Sequence, residues 1–313
     1  MTLIIGTDEA GYGPNLGPLV VAATAWRVTA DPSAAERALA AALTTALADH
    51  DGPLWDDSKR IYRGGAGFTA LERGGLVAAA LATGGLPRSW PAWAAAHGDG
   101  PAEPTPETWW LDDAGVPLEA DAEECLRLAA RIGPRLAAGG AAIVAIRWRV
   151  IQPAAFNRLL DLGLNKSDIL SQTTLDLAAG LTAGLGDGRT LVWCDRHGGR
   201  RRYAGLLARH FAAPLVRVVE ETATRSGYEL EGAGCRVEFS VGGEARAPVA
   251  AASMIAKYVR EVAMRAFNAH WSGRHPTIAP TAGYPVDAAR WRRQAAAAVA
   301  AAGMPWDAVW RRA

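Results

Sequence analysis

The sequence predicts an α/β protein built on a mixed central sheet flanked by helices. Two apolar runs, residues 3–8 and 18–26, flank the turn Gly11-Tyr12-Gly13-Pro14-Asn15 and read as an antiparallel pair. Strand patterns at 141–151, 190–195, 215–220 and 235–241 are interleaved with helical ones at 153–162, 167–185 and 200–211. A long helix over 247–270 begins almost uniformly small or apolar, which places it in the interior.

Residues 33–50 are rich in alanine and leucine at helical spacing, and Asp31-Pro32 supplies a capped start. Helices at 286–302 and 306–312 finish the chain. Residues 63–134 differ, with Gly- and Pro-rich patches, prolines between Pro101 and Pro106, and Trp90, Trp93, Trp109 and Trp110. A structureless loop of that length is improbable inside a compact domain, so this stretch reads as an inserted segment or small subdomain. Its tryptophans are expected to build a small core of their own, with base stacking as the alternative. Residues 1–62 and 135–313 then form one domain.

Half of the 313 residues are apolar, enough for a large core, which excludes disorder as the main state. The net charge of +1 excludes a wholly basic binder, so any nucleic-acid affinity must come from local clusters. No stretch approaches about 20 uninterrupted apolar residues, and an acidic pair stands where a signal peptide would be apolar. The expectation is a soluble, cytoplasmic protein with no membrane partner. Cys125, Cys194 and Cys235 are widely separated, lack zinc-site spacing and read as buried fillers. The 33 basic residues are arginine except at Lys59, Lys166 and Lys257. Either chance left them there, or those sites require a compact ammonium.

Asp8 and Glu9 end the first strand, Asp195 ends another, and Glu261 lies in the long helix. Buried carboxylates need a cation or lose their charge. With no histidine or cysteine cluster beside them, oxygen ligation of magnesium or manganese is the chemistry these four suggest. Turn and helix capping is the alternative for a strand-ending aspartate.

Read together, the words around these acids form a pattern. Thr7-Asp8-Glu9-Ala10-Gly11-Tyr12-Gly13-Pro14, with Gly17-Pro18-Leu19-Val20-Val21-Ala22-Ala23 behind it, resembles the opening signature of the type 2 ribonucleases H, the ribonuclease HII family. Asp57-Ser58-Lys59 is similar to that family's D-S-K motif, Ile169-Leu170-Ser171-Gln172-Thr173-Thr174-Leu175 to its central helix, and Val192-Trp193-Cys194-Asp195 to the strand bearing its third acid. Ala250-Ala251-Ala252-Ser253-Met254-Ile255-Ala256-Lys257 resembles its A-A-S-I-x-A-K helix, and Gly283-Tyr284-Pro285 its G-Y-G or G-Y-P. The resemblance covers residues 3–60 and 141–292.

It implies a ribonuclease H-like fold and hydrolysis of the RNA strand of an RNA–DNA hybrid, with two divalent ions, Mg²⁺ or Mn²⁺, held by Asp8, Glu9, Asp195 and Glu261. Gly11, Tyr12 and Gly13 would approach the ribose 2′-hydroxyls, Lys59, Lys166 and Lys257 the phosphates, and Tyr284 the sugar at an RNA–DNA junction. Two departures stand out: Tyr12 replaces the family's arginine, and Glu261 is one methylene longer than the usual aspartate. Arg196-His197-Gly198-Gly199-Arg200-Arg201-Arg202 reads either as a phosphate contact or as a solvated turn capping the next helix. A nuclease of the same fold with another nucleic-acid substrate and a catalytically silent nucleic-acid binder are the alternatives. A monomer is the expected state.

Overall fold

The computed structural model describes residues 1–62, 67–98 and 115–312. The central strands of the sheet are buried on both faces. β1 (Thr2–Ala10) pairs antiparallel with β2 (Leu19–Val28), from Thr2 opposite Val28 to Ala10 opposite Val20. β3 (Ala141–Ile151) pairs antiparallel with the far side of β2. On the other side of β1, β4 (Thr190–Asp195) runs parallel, and β7 (Cys235–Ser240) runs parallel to β4. β6 (Arg225–Glu231) and β5 (Leu215–Glu221) complete an α/β sheet in the order β3-β2-β1-β4-β7-β6-β5.

Successive residues of a strand face opposite sides, so β1 feeds two cores. Ile4 points into the first with α1 (Pro32–Ala46), α3 (Gly67–Thr83), α5 (Ala122–Ala138) and α9 (Ala247–Arg274). Leu3 and Ile5 point into the second with α6 (Pro153–Asp161), α7 (Lys166–Leu185) and α8 (Ala204–His210). A third cluster joins the end of α9, Leu16 and α10 (Pro285–Ala301).

The small residues that open α9 let it lie directly on β1. A Cβ on Gly6 would stand 2.2 Å from the Pro248 carbonyl carbon, so only glycine fits where the helix crosses the strand. Thr24 Oγ1 fastens the same point by donating to the Pro248 carbonyl at 2.7 Å.

Two expectations need revision. Within 63–134, the described helices α3 and α5, together with Trp90 and Trp93 of α4 (Trp90–His97), share the core of the sheet and α9. Trp90 and Trp93 stack on each other, Trp90 also stacks on Trp148, and both rings meet Tyr258, so they do not form a core of their own. Trp109, Trp110 and the prolines from Pro101 to Pro106 lie outside the described residues. The expected helix over 306–312 is a single 3₁₀ turn, Trp306–Ala308, after which Trp310 forms a β-bridge with Leu16. The 225–231 strand was not legible. Cys125, Cys194 and Cys235 are buried free thiols, as expected.

Candidate active site

The site forms at the carboxyl ends of two adjacent parallel strands. Thr7 opposite Cys194 is the last pair between β1 and β4, so Asp8 and Asp195 stand at the same level where the two strands part. Glu9 follows Asp8, and its amide donates to Asp8 Oδ1 at 2.8 Å. The three carboxyls are drawn into mutual repulsion in a partly buried place. Burial first, then Asp195, pushes Asp8 up to about 7, against hydrogen bonds from Ser253 and the Glu9 amide. Glu9 is held well above the usual carboxylate range by burial, then by Asp8 and Asp195, with Lys59 pulling the other way. Asp195 rises to about 6 through burial, with Glu244 adding to the shift and the Gly243 amide, 2.9 Å from Oδ1, opposing it.

Glu244 is the acid that the sequence did not reveal. It sits in a 3₁₀ turn, Gly243–Ala245, between β7 and α9, within hydrogen-bonding reach of Asp195. Its buried Oε2 has no donor among the described residues. The one available signal was Gly242-Gly243 at the end of a strand, which allows so tight a reversal.

Glu261 occupies a different position. Its Oε1 takes the Lys257 ammonium at 2.6 Å and its Oε2 accepts the Tyr62 hydroxyl at 2.8 Å. It is not among the main charges acting on Asp8, Glu9 or Asp195. Lys257 also lies 4.7 Å over the Tyr62 ring, and burial, followed by the Glu261 carboxylate, pushes that phenol up to about 12.

The D-S-K word has a division of labour. The Asp57 side chain caps the short helix α2 (Ser58–Ile61) by accepting from the Lys59 amide at 2.8 Å. Ser58 accepts from Ser253 Oγ at 3.0 Å, which ties this helix to α9. Lys59 is thereby brought to the acids. Burial alone would lower its ammonium, but Glu244, Asp57, Asp8 and Asp195 together hold it above the ordinary lysine value.

Beside the acids, Tyr12 projects from the glycine turn, and the Lys166 ammonium lies 4.5 Å over its ring. A Cβ on Gly198 would come within 3.0 Å of the Tyr12 hydroxyl, so the turn after Asp195 closes over the tyrosine. Tyr284 is exposed, and its ring edge stands 3.9 Å from where a Gly13 Cβ would lie. Gly11, Gly13, Lys166 and Tyr284 therefore cluster around one turn. The basic run after Asp195 divides. Arg196 is buried against the Thr222 carbonyl and Ser226 Oγ, Arg200 binds Ser167 Oγ and Asp168, and Arg201 and Arg202 face solvent.

The donor set suits a hard divalent cation. It is all oxygen, its like charges suppress one another, and Glu244 offers a lone oxygen. Among the described residues no three His, Cys, Asp or Glu side chains are grouped tightly enough to grip an ion as they stand, so a cation would have to draw them inward.

The fold and site thus define an α/β protein with an acidic cluster at the carboxyl ends of parallel strands. No family model matches the chain, and no curated protein does. Among solved structures it is similar to Bst-RNase HIII in complex with Mn²⁺, with TM-score 0.47 and 16% identity over 99% of this chain. The match covers 66% of that chain, just under two thirds of its length. It is also similar to the RNase HII of Archaeoglobus fulgidus in its complex with PCNA (0.43, 15%, 99% of this chain and 94% of that one). The ribonuclease H2 of Pyrococcus horikoshii OT3 is a further similar structure (0.44, 14%, 98% and 92%).

Proposed function

We propose that this chain is a metal-dependent endonuclease of the type 2 ribonuclease H kind, hydrolysing the RNA strand of RNA–DNA hybrids. The observation that carries the proposal is the convergence of Asp8, Glu9, Asp195 and Glu244 with Lys59 at one strand end, beside a turn, Gly11-Tyr12-Gly13, whose neighbours are Lys166 and Tyr284. The first three acids, Lys59, the turn and Tyr284 stand in words that resemble the family's motifs, Lys166 lies just before the word that resembles its central helix, and Glu244, beside Asp195, is taken as the fourth acid.

Asp8, Glu9, Asp195 and Glu244 would hold divalent ions, Mg²⁺ or Mn²⁺. Bound there, such ions supply an activated water and stabilise the charge that develops on the leaving oxygen. The chain's own residues do the rest. Lys59 partly neutralises the acids and offers donors to an incoming phosphate, while Lys166 adds a cation at the edge of the turn. The glycines admit a ribose close to the backbone, where a 2′-hydroxyl distinguishes RNA from DNA. Tyr284 presents a ring face to a sugar or base at the same edge.

The experiment is a cleavage assay with Mg²⁺ and with Mn²⁺ on three labelled duplexes: all DNA, DNA with one ribonucleotide, and an RNA–DNA hybrid. Cleavage of the hybrid that is lost in both Asp8→Asn and Asp195→Asn, with duplex binding retained, is the expected result. Retention of more than about a tenth of the wild-type rate by either variant, roughly 1.4 kcal/mol or less of transition-state stabilisation, would refute the metal assignment. Cleavage of a different duplex alone would favour a nuclease of other specificity, and binding without cleavage a silent binder.

A further inference from the structure

Residues 11–18 run between β1 and β2 with several of their carbonyls turned into the protein. Two guanidinium groups from distant parts of the chain meet them there. Arg311, near the end of the chain and 1% exposed, donates from Nη2 to the Gly11 carbonyl at 2.6 Å and to the Pro14 carbonyl. Its backbone amide donates to the Asn15 carbonyl at 2.7 Å, and Asn15 Nδ2 returns a bond to the Arg311 carbonyl at 3.1 Å. Arg260 of α9, 2% exposed, donates from Nη1 to the Pro18 carbonyl at 2.7 Å and from Nη2 to those of Leu16 and Ala282 at 3.3 and 3.2 Å.

This arrangement is unusual on energetic grounds. Buried charges normally pair with opposite charges, yet neither guanidinium has a carboxylate in an ion pair among the described residues. The two also repel each other, and burial together with that repulsion brings Arg311 down to about 9. Carbonyl dipoles carry the hydrogen-bonding part of the compensation, helped by the Phe156 ring 5.0 Å from the Arg311 guanidinium and by the Glu261 charge acting on Arg260. Across a trans peptide the carbonyl and the next amide point in opposite directions, so fixing the Gly11 carbonyl toward Arg311 aims the Tyr12 amide the other way. The Asn15 amide is already engaged, donating to the Gly283 carbonyl at 2.8 Å, which links the turn to the loop that carries Tyr284.

We propose that Arg311, seconded by Arg260, is a positioning residue for substrate recognition: from behind, it fixes the peptide planes of the glycine turn so that the turn presents amides and positive potential to a nucleic-acid strand. The proposal rests on the nuclease reading for its substrate. It requires no contact between Arg311 and that substrate, and it gives the last residues of the chain a role in recognition.

The test uses the full chain with Arg311→Met, which removes donors and charge, and Arg311→Lys, which keeps both on a shorter stem. Arg311→Met is expected to raise KM for the hybrid about tenfold while kcat moves less than about threefold, and to speed amide exchange across residues 12–17. Arg311→Lys should recover KM and exchange to within about threefold of wild type. An unchanged KM in Arg311→Met, a loss confined to kcat, or a KM defect that Arg311→Lys fails to rescue would overturn the proposal. If Arg311→Met does not fold, Arg311→Gln replaces it under the same criteria. If the wild type cleaves no duplex, the nuclease reading fails separately, and anisotropy with the labelled hybrid decides. Binding weakened about tenfold by Arg311→Met and restored by Arg311→Lys supports the proposal, whereas unchanged binding, or none by the wild type, overturns it.

Discussion

The Gly243 amide donates to Asp195 Oδ1 at 2.9 Å, so the turn bearing Glu244 is anchored to an acid from a different strand. Glu244 is thereby held beside Asp195 while Glu261 is held away by Lys257 and Tyr62.

A first prediction separates these two glutamates. Glu244→Gln keeps size and hydrogen-bonding capacity but removes a charge from the acidic cluster, so cleavage should fall by about a hundredfold or more, a loss of roughly 2.7 kcal/mol in transition-state stabilisation. Glu261→Gln leaves the cluster intact and weakens only the contacts with Lys257 and Tyr62, so its rate should stay within about fivefold of wild type. Steady-state kinetics on the hybrid checks both. A severe defect in Glu261→Gln with a mild one in Glu244→Gln would restore Glu261 as the fourth acid.

Why the sequence reveals some of this and conceals the rest can be stated residue by residue. The β1–β2 pair, Asp8, Glu9 and Asp195 are legible because apolar runs, the turn between them and strand ends are local properties. The start of α9 is legible because its run of alanines is. Glu244 is concealed because its turn comes next to Asp195 only when β7 pairs with β4, a long-range event. α3 is concealed for a different reason: Gly74 and Gly75 look like loop residues. A Cβ on Gly74 would come within 2.4 Å of Met254 Cε, so this glycine serves close packing against α9 and not a turn. Arg311 is concealed because the 306–312 stretch reads as a helix, whereas Trp310 bridges to Leu16 and carries its neighbour inside.

The raised acids make the metal-free protein sensitive to pH. Asp8 at about 7 and Asp195 at about 6 bind protons more tightly in the folded chain than at their ordinary value of 3.8. Their contribution to stability is therefore fully present below about pH 4 and is lost as pH rises through 6 and then 7. A divalent ion requires the deprotonated carboxylates, so it should offset this loss. The expected outcome is a Tm increase on adding Mn²⁺ that is larger at pH 8 than at pH 5 and is abolished in Asp8→Asn. An equal increase at both pH values would place the ion elsewhere.

Glu72 carries a prediction about stability alone. It is fully buried in α3, where it accepts the amides of Leu118, Glu119 and Ala120 and the Tyr258 hydroxyl, each at 2.7 Å. Four donors thus converge on one carboxylate and hold the 118–120 segment against the core. Glu72→Ala strands them, at roughly 1–3 kcal/mol for each donor that water cannot reach. The Ala120 amide and the Tyr258 hydroxyl are the two buried donors, so with about 2–4 °C per kcal/mol Tm should fall by at least about 5 °C, and Glu72→Gln by less. A Tm within about 2 °C of wild type in Glu72→Ala would show that the segment is held by other contacts.

The last prediction concerns substrate choice. The turn carries Tyr12 where the resembling family has arginine, and Tyr12 is occupied by Lys166 over its ring and by the turn at Gly198. An arginine offers several fixed donors that tyrosine lacks, so contacts made through that side chain are missing here. Recognition of consecutive ribonucleotides can draw on the glycine backbone and the groove shape of a hybrid, whereas one ribonucleotide in DNA presents fewer contacts to spare. The hybrid should therefore be cut faster than the duplex with a single ribonucleotide. Tyr12→Arg should narrow that gap, but it places a second cation beside Lys166, so the Tyr12→Arg protein should show a steeper loss of activity with salt than wild type. Rates on the two substrates across a salt series measure both effects. Equal or faster cutting of the single-ribonucleotide duplex by the wild type would shift junction reading to Tyr284 and the backbone of the turn.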